Sequence, residues 1–351
     1  MELLTNPFRD GSGILSLDPD VPVPSVRSDR PLDLLARCPA DVQTPLLARD
    51  DLARMAGVRA VHIKDERTRM GLGSVEALGA AYAIAQDADA SNSTDMGSAL
   101  TGVTYVAARA GAHGLAVAMG ARAFGARSVI YIPQCAPETV ADRLRAKGAE
   151  VVREGGCDTD SHAAAVRASK TEGWRLLSDT SWPGYTDRPL QIMEGYLVLM
   201  EEVLTQIPVP PSHVFVQARA GGFAAACATL ARRDWGAEPR IIVVEPDAPA
   251  GLGTAIQATA RGSTHEPAGH GYEGASVIAM QGLARDADVF ARMSEADVED
   301  AVERLAEMGL ASTPKGVSGI AALLASAPHR AALHLTSEAR VLAILSEGCE
   351  I

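Results

Sequence analysis

Short apolar runs rich in Val and Ile alternate along this chain with longer stretches in which Ala and Leu recur at helical spacing. Residues 58–63 read as a strand, and 74–86, dense in Ala, as the helix that follows it. The pattern then predicts a strand over 102–107, a helix over 113–124, a strand over 128–132, a helix over 138–147 and a strand over 150–153. A second strand–turn–helix unit starts at His213, with an apolar strand to Gln217, small residues over 218–222 and a helix over 223–233. Residues 240–245 and 341–345 read as further strands. Residues 294–308 form an amphipathic helix with Ser294 as N-cap and Glu295 and Asp297 in the first turn.

Strands alternating with helices predict an α/β fold whose sheets are mainly parallel, because a crossover helix returns the chain to the same strand direction. Residues 87–98 turn polar, which marks a connection between two lobes or a mobile loop, and 262–274 read as an irregular loop rich in Gly, Pro and His. The resulting division places 1–84 and 206–351 in a large lobe and 85–205 in a small one.

Composition narrows the partners. With 351 residues, 47% of them hydrophobic, the chain can bury a large core. A formal net charge of −12 argues against a nucleic-acid or anionic-membrane surface, since both need clustered cations. Residues 1–30 lack a basic stretch followed by an apolar one, and no apolar run reaches the roughly 20 residues that span a bilayer. A soluble, cytoplasmic protein is expected. Cys38, Cys135, Cys157, Cys227 and Cys349 are scattered, so free thiols are expected, without a metal site or disulfide frame. Lysine is scarce: Lys64, Lys147, Lys170 and Lys315 are the whole set.

Several segments, taken in order, carry a resemblance. They are Thr44-Pro45-Leu46, then Lys64-Asp65-Glu66 with Arg69, then the run Gly73 to Gly79, and Gly111-Ala112-His113-Gly114. The stretch from Asp179 through Tyr185 to Met193, Gly195 and Tyr196 is the most specific, and His213 to Ala218, Val244 to Pro246, Met280 to Leu283 and Ser346 to Gly348 continue it. Over roughly residues 40 to 348 the chain resembles the fold-type II enzymes that use pyridoxal phosphate (PLP) on a tryptophan-synthase β-like fold, in particular their diaminopropionate ammonia-lyase branch. The resemblance implies two lobes, each with a mainly parallel sheet flanked by helices, and a homodimer.

It also implies a Schiff-base Lys where this chain has Glu76, and a carboxylate cannot form an imine. Ala112 stands where the family has a ring-binding Asn, Ala110 where it has an acid–base Asp, Arg109 for a neighbouring Ser or Thr, and Arg219 for a glycine of the phosphate turn. These departures lead to the expectation of no cofactor and no covalently bound PLP. Lys315 is the one substitute imine lysine, and Lys64 belongs in a structural salt bridge.

The expected activity is that of a repurposed, PLP-independent member acting on a small anionic, amino-acid-like substrate by elimination, isomerisation or cyclisation. Glu76 is the general acid or base, and Asp179 and His113 assist. Arg109 and Arg219 offer forks for a carboxylate or phosphate, and either could instead pair with a nearby acid. Gly221 and Gly222 keep an anion-binding turn, and Tyr185 donates to a substrate carboxylate or packs in the core. Two alternatives stay open: a non-catalytic ligand-binding or partner subunit, and a PLP-dependent ammonia-lyase.

Overall fold

The computed structural model describes residues 1–9, 18–247, 251–261 and 275–349, so the loop expected over 262–274 lies outside the described residues. Eleven strands form two sheets among these residues. They are β1 (Glu2–Thr5), β2 (Leu46–Ala48), β3 (Ala60–Asp65), β4 (Thr104–Ala107), β5 (Arg127–Ile132), β6 (Glu150–Arg153), β7 (Arg175–Leu176), β8 (His213–Gln217), β9 (Arg240–Pro246), β10 (Val289–Met293) and β11 (Arg340–Leu345).

The larger sheet runs β1-β10-β9-β8-β11-β3-β2. Its five central strands are parallel, and only the edge strands β1 and β2 pair antiparallel, with β10 and β3. The smaller sheet, β6-β5-β4-β7, is parallel throughout. Parallel strands covered on both faces need side chains that are apolar on both faces, and β8, β9 and β11 supply them with runs such as Ile241–Val244 and Val341–Leu345.

Two helices cross unusually closely at the centre. In the Glu76–Ala90 helix, a Cβ added at Gly79 would stand 2.7 Å from Ile192 and 2.9 Å from Tyr196. In the Asp187–Gln206 helix, one added at Gly195 would stand 2.5 Å from the carbonyl oxygen of Leu78. Glycine at both positions lets the backbones meet, and this contact aims Tyr196 at the start of the first helix. That helix runs on to Ala90, past the polar boundary the sequence suggests, and a short turn at Met96–Ser98 leads into β4.

Beneath the crossing lies a charge cluster cut off from water. Lys64 donates to Glu202 and to the carbonyl of Thr44. Arg69 reaches Glu202 through two bonds of 2.8 Å and Glu66 through bonds of 2.7 and 3.0 Å. Two cations face two carboxylates, so the buried charges balance. Lys64 thus occupies the structural salt bridge expected of it. At the far end, the Glu295–Glu307 helix is capped as expected, with Ser294 Oγ accepting from the Asp297 amide at 3.2 Å.

Candidate active site

A cavity of about 700 Å³ opens where the chain leaves the carboxyl ends of β4, β8, β9 and β11. Open α/β sheets place ligands at this end because loops and helix N-termini converge there. Glu76, Arg109, His113, Asp179, Arg219, Gly221 and Gly222, all expected at the site, line it together.

Glu76 is the first residue of its helix, where the positive end of the helix dipole favours a carboxylate. Its Oε2 accepts a 2.6 Å hydrogen bond from the Tyr196 hydroxyl and lies 3.9 Å from His113 Nδ1. His113 is only 3% exposed. Its Nε2 is 2.9 Å from the carbonyl oxygen of Leu177, and since a carbonyl only accepts, Nε2 carries the proton. Nδ1 is buried and has no hydrogen-bond partner. The tight turn before His113 depends on Gly114, whose added Cβ would fall 2.0 Å from the Arg109 carbonyl oxygen.

Arg109 donates to Asp179 Oδ1 at 3.0 Å. Burial pushes the Asp179 carboxyl up, but the charge and hydrogen bond of Arg109 lead the effects that outweigh it and hold the group below the usual carboxylate range. Asp179 is therefore an anion that orients Arg109, and it has no proton to give near neutral pH.

The glycine turn follows β8. Gly221 adopts φ +96, a left-handed conformation that side chains resist, and caps the Gly222–Trp235 helix. Arg219 sits exposed at the rim of this turn. Lys315 is the one lysine of the four that lines the cavity.

Tyr185 is not brought to this site. Its hydroxyl donates to the Leu176 carbonyl at 2.9 Å and accepts from the Ser178 amide at 3.1 Å, while its ring stacks on Trp182 with centroids 4.3 Å apart. The hydroxyl that does reach the cleft belongs to Tyr196, one helix further on. Sequence reasoning also passed over Glu245 and Glu347, which line the cavity. Burial raises the carboxyl pKa of each, even though Glu245 accepts from the amides of Leu252 and Gly253 and Glu347 from Thr313. Both lie in segments that carry the family resemblance, Val244 to Pro246 and Ser346 to Gly348, and neither stands out there as a site residue.

A family model described as "Pyridoxal-phosphate dependent enzyme" matches residues 38–347. Diaminopropionate ammonia-lyase from Escherichia coli K12 is 35% identical over 193 residues, 52% of this chain and 48% of that protein, so the chain's match spans about half the length of this relative. The crystal structure of holo diaminopropionate ammonia-lyase from Escherichia coli superposes with a TM-score of 0.86 at 26% identity, over 99% of this chain and 93% of that one. The same protein is known in complex with an aminoacrylate-PLP azomethine reaction intermediate, with a TM-score of 0.84, 26% identity and coverage of 99% and 93%.

These matches overturn the expectation of no cofactor and point to PLP. The departures at Glu76, Arg109, Ala110, Ala112 and Arg219 mislead on this point, because they remove a covalent tether and side-chain contacts and leave the glycine turn at Gly221 and Gly222 in place. The residues present fit the group: the left-handed Gly221 and the helix N-terminus at Gly222 suit its phosphate, and Lys315 offers an amine in the same cavity. Across residues 38–347, then, the chain belongs to the family of pyridoxal-phosphate dependent enzymes.

Proposed function

We propose that the cleft takes PLP together with a small anionic, amino-acid-like substrate, and that Glu76 moves a proton at that substrate. The observation that carries this reading is the seat of Glu76, a half-exposed carboxylate at the cavity wall held by the Tyr196 hydroxyl at 2.6 Å beside His113. In this reading Glu76 stands where the family resemblance expects the amine. The amides of the Gly221–Gly222 turn would hold the PLP phosphate, with the Lys315 amine on the same cavity wall. When bound, PLP supplies an electron sink that lowers the barrier to deprotonation next to a carboxylate.

The chain's own residues do the rest. Tyr196 fixes Glu76 so that its other oxygen is the one presented to the cavity. Asp179 holds the Arg109 guanidinium at the mouth of the turn before His113, where its positive charge faces the cavity that would take a substrate carboxylate. Arg219 adds positive charge at the rim beside the phosphate turn. Elimination, isomerisation and cyclisation all need this set of a base, an anchored carboxylate and a charge sink.

The test is turnover of diaminopropionate and other small amino acids by the PLP-supplemented protein, with ammonia release as readout. Glu76→Gln keeps the shape and removes the titrating oxygen, and the expected loss is on the order of 10²–10⁴-fold. Turnover equal to wild type would overturn the role given to Glu76.

A further inference from the structure

We infer that Glu76, His113 and Asp179 form a binding site for one divalent first-row cation of the Mn²⁺ or Zn²⁺ kind. One carboxylate oxygen from each acid and a ring nitrogen of His113 lie within 4.8 Å of one another. On a shared cation at about 2.0–2.2 Å from each ligand the donors would stand roughly 3 Å apart, so small side-chain rotations complete the site. Glu76, whose side chain is 26% exposed, has the room to make them.

The histidine supplies an independent observation. His113 Nδ1 is buried, has no hydrogen-bond partner and faces Glu76, while Nε2 is committed to the Leu177 carbonyl. A lone pair left bare on one ring nitrogen, with the other nitrogen fixed by a backbone carbonyl, is the arrangement that prepares a histidine to ligate a metal. Both carboxylates are supported in the same manner, Glu76 by the Tyr196 hydroxyl and Asp179 by Arg109.

Charge points the same way. Seven of the residues lining the cavity are Asp or Glu, against three that are Arg or Lys. An anionic ligand entering such a cavity gains from a bound cation, and three protein donors leave coordination positions open for its oxygens. One imidazole and two carboxylates suit Mn²⁺ or Zn²⁺, whereas Ca²⁺ takes six to eight oxygens. The inference rests on the placement of these three side chains and goes beyond the proton transfer proposed for Glu76. The two are alternative states of one carboxylate, because a cation on Glu76 occupies the oxygen that would carry a proton.

The experiment titrates the purified full chain with Mn²⁺ and follows the electron paramagnetic resonance signal of the free ion. Thiols are poor ligands for Mn²⁺, which keeps the exposed Cys135, Cys157 and Cys349 out of the reading. Wild type is expected to take up about one Mn²⁺ per chain and to release it to added Zn²⁺. Asp179→Asn and His113→Gln are expected to bind at least about tenfold more weakly with unchanged near-ultraviolet circular dichroism. If His113→Gln does not fold, Glu76→Gln, a nearly isosteric change at a partly exposed side chain, tests the same ligand set. No uptake by wild type, or undiminished uptake by folded variants, overturns the site. Failure to bind Mn²⁺ while Glu76-dependent turnover persists overturns the cation site alone, and Mn²⁺ uptake without Glu76-dependent turnover overturns the proton-transfer reading alone.

Discussion

The hydroxyl of Tyr196 donates to Glu76 at 2.6 Å, joining two residues 120 positions apart at the wall of one cleft. Burial, reinforced by the negative charge of Glu76, pushes the Tyr196 phenol well above its ordinary value, so it stays a donor throughout the physiological range. Tyr196→Phe should leave the fold intact and lower turnover by roughly tenfold or more, the worth of one hydrogen bond to a charged group. Steady-state kinetics beside a thermal melt checks this, and unchanged turnover would show that Glu76 needs no such support.

The same pairing depends on glycine. Gly195→Ala would drive a methyl to within 2.5 Å of the Leu78 carbonyl and force apart the helices that carry Tyr196 and Glu76. A loss of about 1–3 kcal/mol is expected from overpacking. A lower denaturant midpoint together with reduced turnover would agree with this, whereas a neutral effect on both would mean that the helices can separate freely.

Acid should unfold the protein partly through Glu202. Burial raises its pKa, but hydrogen bonds and charge from Arg69 and Lys64 outweigh that and lower it below 4.5. A lowered folded-state value means that the stabilisation is complete above about pH 4.5, the unfolded value, and is lost as pH falls through the folded value. Glu202→Gln leaves Lys64 and Arg69 facing one carboxylate fewer and should cost about 3–5 kcal/mol near neutral pH. Its stability curve should also flatten at acid pH, which chemical denaturation across pH 3–7 would reveal.

The phosphate cradle is tested at Gly221. An alanine there must hold φ +96, with its Cβ 3.0 Å from Ala279 and 3.1 Å from Leu252. Gly221→Ala should therefore weaken PLP binding by at least about tenfold, because strain at the turn withdraws the amides that face the phosphate. Absorbance titration with PLP measures this directly, and equal affinity would move the phosphate site elsewhere.

Much of this fold is legible in the sequence. Strands β3, β4, β5, β8, β9 and β11 announce themselves because buried parallel strands must be largely apolar on both faces, and the edge strand β6 shows through its paired valines. Strand β10 (Val289–Met293) hides because Arg292 interrupts its apolar run, and β1 lies at a sheet edge within a segment that reads as polar. The twenty-residue helix Asp187–Gln206 does not stand out in the apolar pattern, although Gly195 and Tyr196 in it belong to the family resemblance. Motif matching can place a residue in a site without showing which side chain arrives there. Tyr185 and Tyr196 both carry a hydroxyl, and only the glycine-lined helix crossing brings the second one to Glu76. The cluster of acids also escapes sequence reading, since Glu245 near the end of β9 and Glu347 just past β11 are far apart in the chain and come to one cavity only in the fold. For the cofactor, the replacements at Glu76, Arg109, Ala110, Ala112 and Arg219 suggest its absence, while the turn at Gly221 and Gly222 keeps a means to hold it.

The central claim is that Glu76 moves a proton at a small amino-acid-like substrate in a PLP-bearing cleft. Its most direct test is exchange of the substrate α-hydrogen with deuterium, followed by nuclear magnetic resonance for diaminopropionate and related small amino acids with PLP present. Wild type should exchange this hydrogen, and Glu76→Gln should do so slower by roughly 10²–10⁴-fold. Exchange at the same rate in both proteins would contradict the account.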